Sequence, residues 1–484
     1  MKEKILSLKN KYVNLAAPVK ASVWFTVCNI LNKGIALIST PIFTRLMTTG
    51  EYGDYTVFQS WYALIIIFSS LNLTSGAYGK GLVEFDDDKK RFTSSMMGLS
   101  VTCTFLVFLI YMIGKTFWTG VFGIAPFLMY AMFLKLLVLP AYELWATQKR
   151  FAYEYKSLVA LSVISTILCV AVAAVAVIKT PEARLAARIF SDVGVNFVFC
   201  FPLLIILLMG GKQFVNLKYW KYALLFNLPL IPHFLSTMVL NQADRIMIRD
   251  LDGSSQAAMY GIAYTIGTVA ILIVNAINNS FVPYVYTSIK EKEYGNIRKN
   301  ASSLVILVAG IIALSMVFTP EIIYVFAGKK YADAIGIVPP IAVSVFLIFM
   351  YSLFSNIEYY YKKTTYIAIA SVFCALANVG LNYVFIKRFG YYAAGYTTLF
   401  CYVLLALFHF FFCKKILKKE EIPINSIFNL KLYLITFAAM LLIMIFMVIT
   451  YDYFWVRHSM LAVIIVLVII YRKKLLEVLK SVKR

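Results

Sequence analysis

Apolar runs long enough to cross a bilayer recur from Val23 to Ile470, and nothing else about the chain limits its fold as strongly. A backbone surrounded by hydrocarbon must satisfy its own hydrogen bonds, and an uninterrupted run of about twenty apolar residues does so as a helix. Of the 484 residues 61% are hydrophobic and 14% charged, with a mean hydropathy of +0.80; soluble proteins carry roughly 25% charged residues. The chain is therefore expected to be an all-α integral membrane protein.

Fourteen spans are expected, near residues 18–43, 55–78, 93–114, 124–145, 157–178, 187–209, 222–243, 258–282, 301–319, 334–356, 365–386, 392–413, 432–450 and 456–471. With the N-terminus placed inside, the inward segments hold 32 of the 46 Lys and Arg residues and the outward ones 12. Cytoplasmic flanks retain basic residues, so both termini are expected in the cytoplasm. The net charge of +23 then faces anionic lipid headgroups and calls for no nucleic-acid partner. The small residues of "NLAAPVK" (Asn14–Lys20) precede the first apolar run, so no cleavable leader is expected. The seven cysteines lie in or beside spans without CxxC spacing and are expected as free, apolar-like thiols.

Short connections exclude function classes. There is no room for the soluble domain of a membrane glycosyltransferase or polymerase, and no GxxxxGK[ST] phosphate cradle for an ATP-driven pump. The aspartates of "VEFDDDKKR" (Val83–Arg91) suit a solvated turn better than a metal–nucleotide site. His233, His409 and His458 lack metal-ligand spacing. No catalytic residue, metal or cofactor is expected.

Charge inside the spans is the informative exception. Lys33 lies twelve or more residues from the nearest flanking charges, Lys20 and Arg45, about 18 Å along a helix axis. Ser22, Thr26, Asn29, Lys33, Thr40 and Thr44 share one helix face. Small polar residues on such a face suit helix packing. A central lysine does not, because it costs about 2.5–3.5 kcal/mol on insertion scales, so a water-lined cavity is the favoured surrounding.

Arg184, Arg188, Asp192 and Asn196 also step by four, and Arg188 could pair with Asp192 along the helix or face inward. Thr237, Asn241 and Arg245 align, as do Tyr264, Thr268, Asn275 and Asn279, and Asn378 with Asn382. Upstream, "NLPLIPHF" (Asn227–Phe234) carries two prolines that should break its helix. Lys135 and Glu143 stand about 12 Å apart by helical rise, so each needs another partner or water. Glu143 could be interfacial, and Glu358, beside "YYYKK" (Tyr359–Lys363), is expected at an interface. The deep charges lean cationic, which suits an anionic, phosphate-bearing cargo.

A weak internal echo runs through the chain. Arg45 precedes Tyr52-Gly53 and then Asn72; Arg245 precedes Tyr260-Gly261 and then Asn278 or Asn279. Six spans separate the two copies, as in transporters built from duplicated lobes.

Three stretches carry a family resemblance: "ALISTPIFTRLMTTGEYGDYTVFQSW" (Ala36–Trp61), "LNQADRIMIRDLDGSSQAAMYGIAYTIG" (Leu240–Gly267) and "ALANVGLNYVFIKRFGYYAAGYTTLFCY" (Ala375–Tyr402). Together they resemble Wzx-type lipid-linked oligosaccharide flippases of the multidrug/oligosaccharidyl-lipid/polysaccharide exporter superfamily. The resemblance implies two six-helix lobes in a V around a central cavity, with two extra C-terminal helices. The expected divisions are 1–215, 216–413 and 414–484. It also implies ion-coupled transport of a polyprenyl-pyrophosphate-linked repeat unit in a bacterial cytoplasmic membrane for capsule or other surface polysaccharide. Membrane lipids, a polymerase and glycosyltransferases would be its partners.

Arg45 and the Asp244-Arg245 pair match motif positions. The expected substrate-binding set is Lys33, Arg45, Arg245, Lys135, Asn29, Asn241 and Asn275, and the expected gate or coupling set is Asp192, Asp244, Arg188 and Glu143. The competing expectations are a teichoic-acid or lipid II precursor flippase, a cation-coupled drug exporter and a membrane glycosyl polymerase.

Overall fold

The computed structural model describes residues 16–459 and 461. It is helical, with no strand among the described residues. The chain divides into two compact units that meet at Leu235 and Ser236.

In the first unit, α1 (Ala17–Leu46), α2 (Thr49–Ser70), α3 (Ala77–Glu84), α4 (Lys89–Ile113) and α5 (Lys115–Phe122) come first. They are followed by α6 (Pro126–Phe151), α7 (Tyr155–Lys179), α8 (Arg184–Gly211), α9 (Leu217–Asn227) and the start of α10 (Ile231–Leu251). The second unit continues α10 and adds α11 (Ser254–Lys290), α12 (Tyr294–Val317), α13 (Thr319–Phe326) and α14 (Val338–Tyr360). It ends with α15 (Thr364–Phe389), α16 (Tyr392–Lys419), α17 (Ile424–Ile427) and α18 (Leu430–Thr450).

Twelve helices among the described residues are long and apolar enough to cross a membrane. The second expected span is not one of them. Residues 55–70 of it lie in the 22-residue α2, whose first half holds Glu51, Asp54 and Gln59, and residues 71–78 cross a break into α3. The fourteenth, 456–471, lies mostly outside the described residues.

Local chemistry sets the breaks. Thr48 and Glu51 form a reciprocal cap at the start of α2: the Glu51 amide donates to Thr48 Oγ1 at 3.2 Å, and the Thr48 amide donates to Glu51 Oε2 at 2.8 Å. The helix ends at Leu71 and Asn72, both left-handed with φ of 49° and 48°. Asn227 closes this break. Its Nδ2 donates to the Leu71 carbonyl at 2.8 Å, and its Oδ1 accepts from the Ala77 amide at 2.8 Å. Gly76 makes room, since a Cβ there would lie 2.3 Å from Asn227 Oδ1. Asn227 also ends α9; a 3-10 turn, Leu228–Leu230, carries Pro229 and leads into α10, so the proline-rich stretch breaks its helix as expected.

Between lipid-embedded helices, close backbone approach replaces the hydrophobic drive that packs soluble proteins. The run "TSSMMGLS" (Thr93–Ser100) supplies it on α4, where all eight residues are buried. A Cβ on Gly98 would meet the Phe214 carbonyl oxygen at 2.0 Å, and one on Gly211 the Lys90 carbonyl oxygen at 2.1 Å. The second unit is organised around α14, whose Val343, Phe346, Phe349 and Ile357 are completely buried.

Candidate functional site

The first unit buries an ion pair. Lys135 on α6 donates through Nζ to Asp192 Oδ2 on α8 at 2.6 Å, with the two side chains 9% and 13% exposed. The ammonium also lies 4.5 Å from the centre of the Tyr62 ring on α2. Asn196, one turn along α8, donates to the Asp192 carbonyl at 2.7 Å and to Oδ1 at 3.2 Å. Lys135 thus has the partner that its spacing from Glu143 demanded.

Arg188 shares the helix face of Asp192, yet no ion pair joins them among the described residues. The along-helix pairing is replaced by the cross-helix pair with Lys135. The Arg188 guanidinium instead sits between the rings of Phe43 (3.8 Å) and Tyr55 (4.8 Å), tying the ends of α1 and α2 to α8.

The second unit buries a carboxylate of another kind. Asp244 on α10 is 1% exposed. It accepts from Asn382 Nδ2 at 2.6 Å, from Thr398 Oγ1 at 2.8 Å and from the Tyr260 hydroxyl. Asn378 and Thr397 complete the network: Asn382 donates to Asn378 Oδ1 at 3.2 Å and accepts from the Thr397 hydroxyl. Every one of these donors is neutral. No Lys or Arg pairs with Asp244 among the described residues.

Arg245, next in sequence, turns to a different face. It donates to Gln242 Oε1 at 2.6 Å and stacks 4.6 Å from the Tyr264 ring. The Tyr264 hydroxyl donates to Asn241 Oδ1 at 2.6 Å, and Asn241 in turn donates to the Thr237 carbonyl. The faces expected on these two helices therefore meet each other.

The polar stripe of α1 divides. Thr40 and Thr44 are buried, whereas Ser22, Thr26, Asn29 and Lys33 are exposed. Packing of α1 on α7 uses a different face, with Phe25 and Cys28 in the contact and Asn32 donating to Ser162 Oγ at 2.6 Å. Arg45 is exposed and donates to the Pro41 carbonyl at 2.8 Å. Asn275 is exposed on α11, and Glu143 is exposed into a cavity of the first unit.

Glu358 requires a correction. It is fully buried and not solvent-facing, with both carboxylate oxygens within 3.1 Å of His409 Nδ1. The ring of Tyr351 stacks on His409 at 5.2 Å. A histidine inside the apolar run of α16 was the visible signal, because such a side chain needs a polar partner at that depth. Among the described residues no group of His, Cys, Asp and Glu could hold a metal ion. All seven cysteines are free.

Comparison with known proteins adds the family. A model described as "Polysaccharide biosynthesis protein" matches residues 19–289, and a MatE model matches residues 229–384. The chain is 24% identical over 380 residues to the Lsg locus putative protein 1 of Haemophilus influenzae, covering 74% of this chain and 89% of that one.

Among solved structures it is similar to the lipid II flippase MurJ in an inward closed conformation. That match has a TM-score of 0.67 at 13% identity and covers 90% of this chain and 100% of that one. It is also similar to an inward-facing multidrug resistance MATE family transporter of the MOP superfamily, with a TM-score of 0.60 at 13% identity, covering 82% and 98%. At these identities the structural likenesses establish the fold.

Proposed function

The chain belongs to the polysaccharide biosynthesis protein family and has the fold of the multidrug/oligosaccharidyl-lipid/polysaccharide exporter superfamily, and from that premise we propose that it flips a polyprenyl-pyrophosphate-linked oligosaccharide repeat unit across the cytoplasmic membrane. The product feeds capsule or another surface polysaccharide. Glycosyltransferases build the cargo on the inner leaflet and a polymerase consumes it on the outer one. Both termini are cytoplasmic in this reading.

The observation that carries the reading is Lys33. It lies midway along an apolar helix, is exposed, and makes no hydrogen bond or ion pair among the described residues. An ammonium left against hydrocarbon costs about 2.5–3.5 kcal/mol, and a pyrophosphate supplies the charge that offsets this. Arg45, exposed on the same helix, and Asn29 extend the first unit's contacts to phosphate and glycan, and Arg245, Asn241 and Asn275 are the second unit's own candidates for such contacts. Lys135 acts indirectly, because its charge is already matched by Asp192.

Transport without a nucleotide site calls for ion coupling, and Asp244 is the carboxylate suited to it. Sealed among neutral donors, it is stable when it takes up a proton or a monovalent cation. Asp192 and Arg188 hold the helices of the first unit together.

Replacing Lys33 by Met should abolish flipping of lipid-linked repeat units in proteoliposomes while the protein stays folded, and Lys33→Arg should retain it. Normal flipping by Lys33→Met would reject the role. The likeness to MurJ favours a second reading, a lipid II or teichoic-acid precursor as cargo. Offering each lipid-linked substrate to the same proteoliposomes separates the two.

A further inference from the structure

Where α2 ends, the first unit holds an open-mouthed cavity of about 340 Å³ between that helix end, the turn after it, α4 and α6. Its polar wall is formed by Tyr62, Asn72, Thr74, Ser75, Ser100 and Glu143. Among the described residues Glu143 is the only charged one in the lining; its carboxylate makes no hydrogen bond or ion pair there, and the charge acting on it is that of Arg150, outside the lining. The C-terminal end of α2 brings the negative pole of its helix dipole to the same space, through Ser70 and the left-handed Asn72. Carboxylate and helix end both select a cation.

Size and lining decide which cation. The volume is more than ten times the roughly 30 Å³ share of one water molecule, too roomy for a bare ion. It lies at the lower edge of the roughly 300–1,000 Å³ range of small-molecule pockets. Serine, threonine and asparagine side chains offer the donors and acceptors that a polyhydroxylated ring needs, and Tyr62 offers an aromatic surface.

We propose that this cavity is a recognition site for an amine-bearing sugar, with the ammonium on Glu143 and the ring hydroxyls on Asn72, Thr74, Ser75 and Ser100. As a subsite for one residue of the cargo, the inference rests on the flippase reading. Glu143 then selects the glycan and does not couple an ion.

The test uses the full-length protein in lipid nanodiscs with D-glucosamine, N-acetylglucosamine and D-glucose as probes, followed by saturation-transfer NMR. Glucosamine should bind at least tenfold more tightly than either neutral sugar. Glu143→Gln should erase that preference, Glu143→Asp should keep part of it, and Thr74→Phe, which intrudes on the space where the ring would sit, should weaken all three probes. Equal binding of the three sugars to the unaltered protein overturns the proposal even if no variant folds. So does a preference that survives Glu143→Gln, or displacement of glucosamine by millimolar sodium or potassium alone. The assay needs no transport. Failure to flip any lipid-linked glycan would overturn the cargo reading and leave the site standing, whereas loss of the amine preference overturns the site alone.

Discussion

Removing either member of the Lys135–Asp192 pair should destabilise the first unit, and removing both should largely restore it. The pair is short, 2.6 Å, with both side chains mostly buried. Lys135→Met removes the ion-pair partner of Asp192 and leaves its carboxylate with the 3.2 Å bond from Asn196, a hydrogen bond from Gln59 and the more distant charge of Arg188. Stranding one buried charge costs about 3–5 kcal/mol. An isolated carboxylate at membrane depth costs about 2.5–3.5 kcal/mol on insertion scales, so the two estimates agree. For a unit of this size, each kcal/mol lowers the melting temperature by about 2–4 °C, giving a fall on the order of 10 °C for either single variant. The double variant Lys135→Met/Asp192→Leu removes both charges, and replacing a whole buried pair by apolar groups is commonly neutral or stabilising. A thiol-reactive fluorophore reads this unfolding in detergent, because Cys28 and Cys200 are buried in the unit. Single variants that melt with the unaltered protein, or a double variant whose loss is the sum of the singles to within about 0.5 kcal/mol, would refute the coupling.

Two further perturbations test the framework. Asn227→Leu strips the Leu71 carbonyl and the Ala77 amide of their partner, at about 1–3 kcal/mol for each group left unsatisfied; hydrogen exchange across residues 71–77 should accelerate, and unchanged exchange counts against the clamp. Gly98→Ala drives a Cβ into the Phe214 carbonyl and should cost about 1–3 kcal/mol by overpacking. Gly120→Ala, with nothing within 4 Å, should cost nothing in the same melting assay.

What the sequence revealed and what it hid follow from the range of the interactions. Span length and proline breaks are local, so apolar runs and the Pro229–Pro232 stretch announced themselves. Residues four apart share a helix face, so Asp192 with Asn196 and Asn378 with Asn382 were visible as pairs. Their partners across the bundle were not, because periodicity says which face is polar and not which helix it meets. Lys135 bonds to a residue 57 positions away, and Asp244 to residues 138 and 154 positions away. The stripe on α1 divides in a way periodicity cannot show: one face runs continuously in sequence, yet its C-terminal end, Thr40 and Thr44, is packed and the rest is exposed. The partner of Glu358 was hidden for the same reason: its basic, tyrosine-rich neighbourhood suggests an exposed position, whereas α14 buries it against His409, 51 positions away.

The internal echo supplies its own test of ion coupling. Aligning Arg45 with Arg245 and Tyr52-Gly53 with Tyr260-Gly261 sets Thr44 opposite Asp244. Both positions are buried, at 0% and 1% exposure, and both tyrosines are buried as well. The chain therefore already shows that a threonine at this place in the motif is compatible with full burial, while only the second copy carries a carboxylate there. Asp244→Thr makes the second copy resemble the first. It removes an acceptor shared by Tyr260, Asn382 and Thr398, but Thr Oγ1 can still accept a bond, so the unit should remain folded. If Asp244 is the coupling group, this variant in proteoliposomes should equilibrate its cargo between leaflets yet lose any response to an imposed proton or sodium gradient. A variant that still concentrates cargo under a gradient would move coupling away from Asp244, and the sealed ring of neutral donors would then be a structural device alone.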